Sequence, residues 1–311
     1  MSIPSTALKS FTHHTTYARY RKNSLKLSAY KKLTTHALPL FFRGRDIISY
    51  GPLANGVYEP DIKALIDHLS SCGYADFLID IGANIGLTSC QSGAGFQEVH
   101  MFEPNPNCLG ILKVNAKIAL GKHNYFIHEY GLGSRQETLA LYVPYDNWGG
   151  GFVKSKSNDY DEALLSSKDG YGQFDLKNYD VQDVAIESAT EKLAELFASL
   201  AAKNYRQGVI KIDVEGFEKL VIDSILATCP ANFSVFLIFE NWKEGSSLQA
   251  LQTAHPNIKI YRLTTQRSAL TGAPRWVNSC IDFFKGGHNT TLVPISDAMT
   301  AGTYVIEVKG T

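Results

Sequence analysis

Two stretches of the chain carry residue types that could do chemistry. The first is FLIDIGANIG, an apolar run that stops on an acid, Asp80, and then spills into Gly82, Asn84 and Gly86. Glycines at a strand-to-helix turn can take positive φ and let the backbone approach a ligand. The amides that open the following helix would face that ligand. The second stretch is IKIDVEGFE, in which Ile210, Ile212 and Val214 alternate with Lys211, Asp213 and Glu215. Three charges on one face of a buried strand are costly unless they line a site or pair with each other. A Lys211 ion pair with Asp213 or Glu218 is the structural alternative.

The glycine spacing separates two cofactors. A dinucleotide fingerprint, G-x-G-x-x-G, has its last glycine five residues after its first. Gly82 and Gly86 are four apart, and Asp80 precedes the first by two. A carboxylate there repels a pyrophosphate and attracts a cation. S-adenosylmethionine has an ammonium group and no phosphate, so the pattern favours it over NAD. A second acid, Glu103, ends the apolar run VHMFEP about twenty residues on. A carboxylate at that place can accept both hydroxyls of a ribose; capping the next helix is its other reading.

The elements that must hold these residues read as an α/β chain. Apolar runs at 77–81, 98–103, 124–130, 208–214, 233–240, 257–262 and 280–285 predict strands. Helical patterns fall at 59–71, 86–92, 106–119, 190–203, 217–227 and 246–254. Strands alternating with helices predict a parallel sheet. The tail GTYVIEVKG reads as a last strand, with the sheet edge as one place for it. ETLALYVP reads as an extra strand, and 144–189, rich in Gly, Ser, Asp and Tyr, as an insertion that covers a site or stays disordered. Trp148 in that insertion, beside three glycines, offers a plane for a sugar ring or an ordinary packed ring on a turn.

Composition narrows the class. The 311 residues hold 30 basic and 30 acidic side chains, which argues against nucleic acid as a partner. Nine of the basic residues and one acid lie in the first fifty. That basic extension, residues 1–55, suggests a peripheral contact with membrane phosphates or a solvated arm. Five cysteines without redox or metal spacing read as small buried hydrophobes in a reducing compartment. With no apolar run near ~18 residues and no signal-peptide core, the expected place is the cytoplasm, with the inner membrane face as the peripheral variant.

DIGANIG, FEPNP and IKIDVEGFE, in this order, with VYEP at 57–60 and YGLGS at 130–134, resemble the FkbM family of S-adenosylmethionine-dependent methyltransferases. The resemblance covers about residues 56–242 and makes 56–311 one methyltransferase domain. It implies a class I methyltransferase fold: a seven-stranded, mostly parallel, Rossmann-like sheet flanked by helices, here with the N-terminal extension and an insertion after the third strand. It implies methyl transfer to oxygen on a sugar, glycan, glycolipid precursor or polyketide-like small molecule. Asp80, Gly82, Asn84 and Gly86 would hold the methionine end, Glu59 would approach it from the preceding helix, Glu103 would hold the ribose, and Leu132 would lie near the adenine.

Asp213 and Glu215, at the carboxyl end of their strand, are the expected bases for the acceptor hydroxyl, with His100 and Glu240 behind them. Lys211, Trp148, Glu240 and Asn241 are expected at the substrate. Asp213 with Glu240 and Asn241 would also suit Mg²⁺ bound to a diol. A non-catalytic cofactor-binding protein is the rival from another class; the intact acids at 80, 103, 213 and 215 weigh against it.

Overall fold

The structure is a computed structural model that describes residues 17–33, 37–44, 46–154, 174–241, 248–267, 274, 277, 288–295 and 300–310. The basic helix α1 (Tyr17–Leu33) leads into α2 (Tyr50–Asn55) and α3 (Pro60–Ser71). Pro60 opens α3 where its missing N–H costs nothing, and Ile62, Leu65, Ile66 and Leu69 give it one buried stripe. Then β1 (Phe77–Ile81), α4 (Leu87–Ser92), β2 (Glu98–Phe102), α5 (Pro106–Leu120) and β3 (Asn124–His128) form one half of the sheet.

Beyond it lie β4 (Gly131–Gly133), β5 (Glu137–Pro144), β6 (Phe152–Val153) and β7 (Tyr179–Ser188), followed by α6 (Ala189–Ala202), β8 (Gln207–Ile212), α7 (Glu218–Thr228) and β9 (Ser234–Asn241). The chain closes with α8 (Leu248–Ala254), β10 (Ile258–Arg267), β11 (His288–Pro294) and β12 (Gly302–Val308).

Eight strands make the main sheet, in the order β11-β10-β12-β9-β8-β1-β2-β3. The five from β9 to β3 are parallel, while β12 runs antiparallel to both its neighbours. This is the expected class I methyltransferase sheet with one more strand, β11, on the antiparallel side. The sequence GTYVIEVKG is not an edge strand: β12 lies between β9 and β10, and its Tyr304, Val305 and Ile306 are buried. The expected strand at 280–285 lies outside the described residues, as do the first two residues of the helix expected at 246–254.

One face of the sheet carries Phe77, Ile79, Ile81, Ile210 and Ile212 against Leu193, Phe197 and Leu200 of α6 and Val221 and Ile225 of α7. The other carries Leu78, Val99, Met101 and Val209 against Ile62, Ile66 and Leu69 of α3 and Leu112 and Ala116 of α5. Strands buried on both faces read as continuous apolar runs, which is why FLIDI was legible.

The described residues of the expected insertion are more ordered than its composition suggests. Its described residues join a second sheet, β4-β7-β5-β6, in which β5 and β7 pair antiparallel from Glu137–Ile186 to Pro144–Tyr179. Part of the N-terminal extension also packs on the domain. Asn115 of α5 accepts the Phe41 N–H at 2.7 Å and donates to the Phe41 carbonyl at 3.0 Å. Of the cysteines expected to be buried, Cys108 is, while Cys72 is exposed. Among the described residues, no helix is long and apolar enough to cross a membrane.

Candidate cofactor and active site

The carboxyl ends of β1, β2 and β8 open into a cleft roofed by the second sheet. Ligands in open parallel sheets occupy this end because the loops there diverge. Ala83, Asn84, Glu103 and Asn105 line one side, Lys211, Asp213 and Glu215 another, and Leu132, Trp148 and Phe152 the roof.

The two glycines answer to packing before ligand. Gly82 has φ +83°, and a Cβ on it would lie 1.9 Å from the Asp213 carbonyl oxygen. Gly86 has φ +84°, and its Cβ would meet Leu112 Cδ1 at 2.5 Å. The first lets β1 and the end of β8 touch; the second lets α4 lie on α5. Asn84, between them, has φ 53°. Asparagine tolerates this left-handed conformation better than most residues. Its Oδ1 lies 3.1 Å from the Cys108 thiol, which donates to it, and its N–H donates to Glu103 Oε2 at 2.7 Å.

Glu103 is clamped at its other oxygen by the Asn105 N–H at 2.8 Å. It does not cap α5. Asn105 does, accepting from the Asn107 N–H at 3.0 Å. Each Glu103 oxygen keeps acceptor capacity for a hydroxyl. Burial pushes its carboxyl up to about 7 despite the two amides.

Asp80 and Lys211 face each other across β1 and β8 on the α3 side of the sheet. Both are buried. Lys211 Nζ donates to Asp213 Oδ2 at 2.9 Å and lies 4.0 Å from Glu59 Oε2. Burial works against the charged ammonium, but Asp213, Glu59 and Asp80 outweigh it and hold Lys211 well above the usual lysine range. Asp80 accepts from Ser89 Oγ at 2.7 Å through Oδ2, and burial raises its carboxyl. Among the described residues, Asp80 Oδ1 and Glu59 Oε2 are buried carboxylate oxygens without a hydrogen-bond partner. Glu59 precedes α3 at φ 42°, a left-handed conformation that is costly for a glutamate. It makes no side-chain cap to that helix. Burial pushes it up to about 7, against the pull of Lys211.

Two buried acceptor atoms around one ammonium leave unmet hydrogen-bonding capacity, which folded proteins rarely tolerate. A ligand ammonium placed there would satisfy them. Glu103 would take ribose hydroxyls, and Leu132, buried on the roof, would lie on the adenine side. The residues present therefore fit S-adenosylmethionine, which supplies a methyl group on a sulfonium when bound.

The other expected residues divide. Asp213 and Glu215 line the cleft just past the end of β8, and Lys211 lines it too. The anticipated Lys211–Asp213 pair is formed. Trp148 lines the cleft, but the Arg43 guanidinium lies 4.1 Å over its ring and Asp46 accepts from its backbone N–H at 3.2 Å. Glu240 and Asn241 end β9 and pair in register with Thr303 and Gly302 of β12; like Glu59 and Asp80 they do not line the cleft itself, although the Glu240 charge helps raise Tyr58 and Glu59. Of the trio expected for Mg²⁺, Asp213 alone lines it. Among the described residues no three His, Cys, Asp or Glu side chains converge as a metal set. His100 is not at the cleft. It is buried in mid-strand, with Glu98 Oε1 at 2.8 Å and His128 Nε2 at 3.1 Å on its two nitrogens.

Tyr58 and Asn105 are among the cleft residues that the sequence analysis does not single out. Tyr58 lines the cleft, and its backbone N–H and carbonyl are both held by the Gln91 amide, at 3.1 and 2.7 Å. Asn105 donates through Nδ2 to the Trp148 carbonyl at 3.3 Å, tying the roof to the Glu103 loop. Both stand inside the quoted motifs VYEP and FEPNP; a residue-by-residue reading of those motifs would have reached them.

The fold is similar to that of a Bacillus cereus O-methyltransferase solved in complex with SAH, at 10% identity and a TM-score of 0.40, over 98% of this chain and 94% of that one. It is also similar to a precorrin-6y C5,15-methyltransferase from Geobacter metallireducens, at 11% identity and 0.34, over 80% and 87%. No curated protein matches the chain. The methyltransferase FkbM domain matches residues 80–260, so the chain belongs to the FkbM family of S-adenosylmethionine-dependent methyltransferases.

Proposed function

We propose that the protein methylates a hydroxyl oxygen of a sugar, glycan or glycolipid precursor. The observation that carries this reading is a pair of acids, Asp213 and Glu215, on the wall of the cleft beside the buried Lys211 ammonium. Methyl transfer to oxygen requires the acceptor to be aligned and its proton removed as the new bond forms. Asp213 is the proposed base, fixed in place by Lys211 at 2.9 Å. Glu215 is proposed to bind a neighbouring hydroxyl. Trp148, with Arg43 on one face of its ring, would offer the other face to a sugar.

The roof favours a second reading. Leu141, Phe152, Val153 and Ile186 give this side of the cleft an apolar surface. That suits a polyketide-like small molecule with an isolated hydroxyl. The basic helix α1, with Arg19, Arg21, Lys22, Lys26, Lys31 and Lys32 and no acid, supports the glycolipid variant. It would rest near membrane phosphates by charge alone, since its leucines do not share one face.

Mass spectrometry of glycans, glycolipids and small metabolites from cells with and without the gene separates the two. A methyl-sized mass difference on a glycan or glycolipid supports the first reading. The same difference confined to an apolar metabolite replaces it with the second.

A further inference from the structure

A polar row, buried at Glu98 and His100 and half-buried at His128 and Tyr130, runs along the opposite face of the sheet and ends at the cleft. Lys203, at the end of α6, donates to both oxygens of Glu98, at 2.8 and 2.6 Å. His100 Nε2 lies 2.8 Å from Glu98 Oε1, and His100 Nδ1 lies 3.1 Å from His128 Nε2. His128 Nδ1 lies 3.3 Å from the Tyr130 hydroxyl. Tyr130 lines the cleft. The rings are stacked as well as bonded: His128 lies 4.1 Å from Phe102 at 11°, and His100 lies 5.0 Å from Phe126 at 12°.

Every bond in this row has one permissible direction. An ionised carboxylate can only accept. Burial alone would raise Glu98, but the Lys203 and His100 hydrogen bonds outweigh it and hold the carboxyl below its ordinary value. His100 therefore carries its proton on Nε2, and its Nδ1 is an acceptor. Burial lowers both imidazoles, His128 to about 4, so each carries a single proton. The His128 proton must then be on Nε2, facing His100. Its Nδ1 is left to accept, and the Tyr130 hydroxyl must donate to it.

We propose that Glu98, His100 and His128 are positioning residues for Tyr130. They commit its one hydroxyl proton away from the cleft, so that its oxygen offers lone pairs alone and selects a ligand with an N–H donor at that wall. The family resemblance puts Leu132, two residues on and also lining the cleft, near the adenine, and the inference rests on that placement. The donor would be the exocyclic amine of the purine. Glu98 acts over a distance, since four residues of strand separate it from Phe102 at the cleft, roughly 13 Å.

The test compares two cofactor products by calorimetry: S-adenosylhomocysteine, and its inosine analogue, which carries an oxo group where the amine was. The wild type should favour the amine by about tenfold or more, the usual scale of one such hydrogen bond. Tyr130→Phe keeps the ring and should erase most of that preference. His128→Phe keeps the stack on Phe102 but removes the acceptor, freeing the Tyr130 proton to point at an oxo group. Glu98→Gln can turn an amide N–H toward His100 and reverse the row. Both should shrink or invert the preference, although neither residue lines the cleft. Loss of packing alone would weaken both ligands together and leave their ratio unchanged.

Equal wild-type affinity for the two ligands overturns the proposal. So does a wild-type ratio in both His128→Phe and Glu98→Gln, since Tyr130 would then select without the row. If Tyr130→Phe leaves both affinities unchanged while S-adenosylhomocysteine still binds, the adenine lies elsewhere. That result overturns the inference and leaves the cofactor assignment intact. Should Glu98→Gln not fold, the His128→Phe ratio decides.

Discussion

The two faces of the main sheet each bury a cluster of charged and polar side chains, and the two clusters are finished differently. On the α3 face, Glu59, Asp80 and Asp213 surround the Lys211 ammonium, and two of their carboxylate oxygens have no hydrogen bond. On the α6 face, Glu98, His100, His128 and Tyr130 form a row in which each donor meets an acceptor. Burying polar groups is costly in both places. The closed row needs nothing further. The open cluster has capacity that a bound cation would fill. Incomplete satisfaction, more than charge or burial, separates a site from its scaffold here.

The comparison predicts unequal responses to substitution. Lys211→Met removes the counter-charge of three carboxylates and should destabilise the fold by about 3–5 kcal/mol, the usual loss when one partner of a buried ion pair is deleted. Lys203→Met, at the exposed end of the closed row, should cost less, because its side chain is 41% exposed and solvent screens the pair. Denaturant melts of both variants test this; an equal loss would mean the open cluster is no less finished than the row.

Asp213→Asn keeps the shape and should cut turnover by roughly 10²–10⁴, the range for a lost general base, with S-adenosylhomocysteine affinity within about tenfold. Turnover unchanged in Asp213→Asn but abolished in Glu215→Gln would swap their roles. Glu103→Ala should weaken cofactor-product binding by roughly 1–3 kcal/mol, the loss expected for a hydrogen bond to a charged group. Unaltered binding would assign Glu103 to holding its two backbone amides and nothing more.

Much of this was legible in the sequence because parallel strands are continuous apolar runs, and any charge within them stands out. Asp80, Glu103, Lys211 and Asp213 were visible for that reason. What the charges do to each other was not, since it depends on register: Asp80 faces Lys211 only because β1 and β8 pair as they do. The glycines were read as ligand approaches, while Gly82 makes room for the Asp213 backbone, a contact between residues 131 positions apart in sequence. His100 looked reactive as an isolated letter and is satisfied by His128 from the neighbouring strand.

Strand β7 was hidden in a Gly- and Ser-rich region, although its Val184, Ile186 and Ser188 are buried on a two-residue period that could have been counted. The place of β12 inside the sheet follows from the antiparallel pairing of chain ends, which no local pattern encodes.

The last prediction sets the stability of the protein against its binding. Glu59 and Glu103 are each raised from 4.5 to about 7 by burial. Between those values the folded protein holds protons that the unfolded chain has lost, so ligand-free stability should fall as pH rises through this window and level off above 7. For two such groups the loss is on the order of a few kcal/mol. Cofactor binding should move the other way. Only the ionised carboxylates can pair with an ammonium or accept from a ribose hydroxyl without giving up a site to their own proton. S-adenosylhomocysteine affinity should therefore drop about tenfold or more from pH 8 to pH 6, while the melting temperature of the free protein rises over the same interval. Glu103→Gln, which cannot titrate, should flatten part of both curves. The closed row should leave affinity unchanged but offset part of the stability change, since burial lowers His100 and His128 and their share of stability is lost as pH falls through the unfolded imidazole value of about 6.5. An affinity that holds or rises toward acid would contradict the assignment of these two carboxylates to the cofactor.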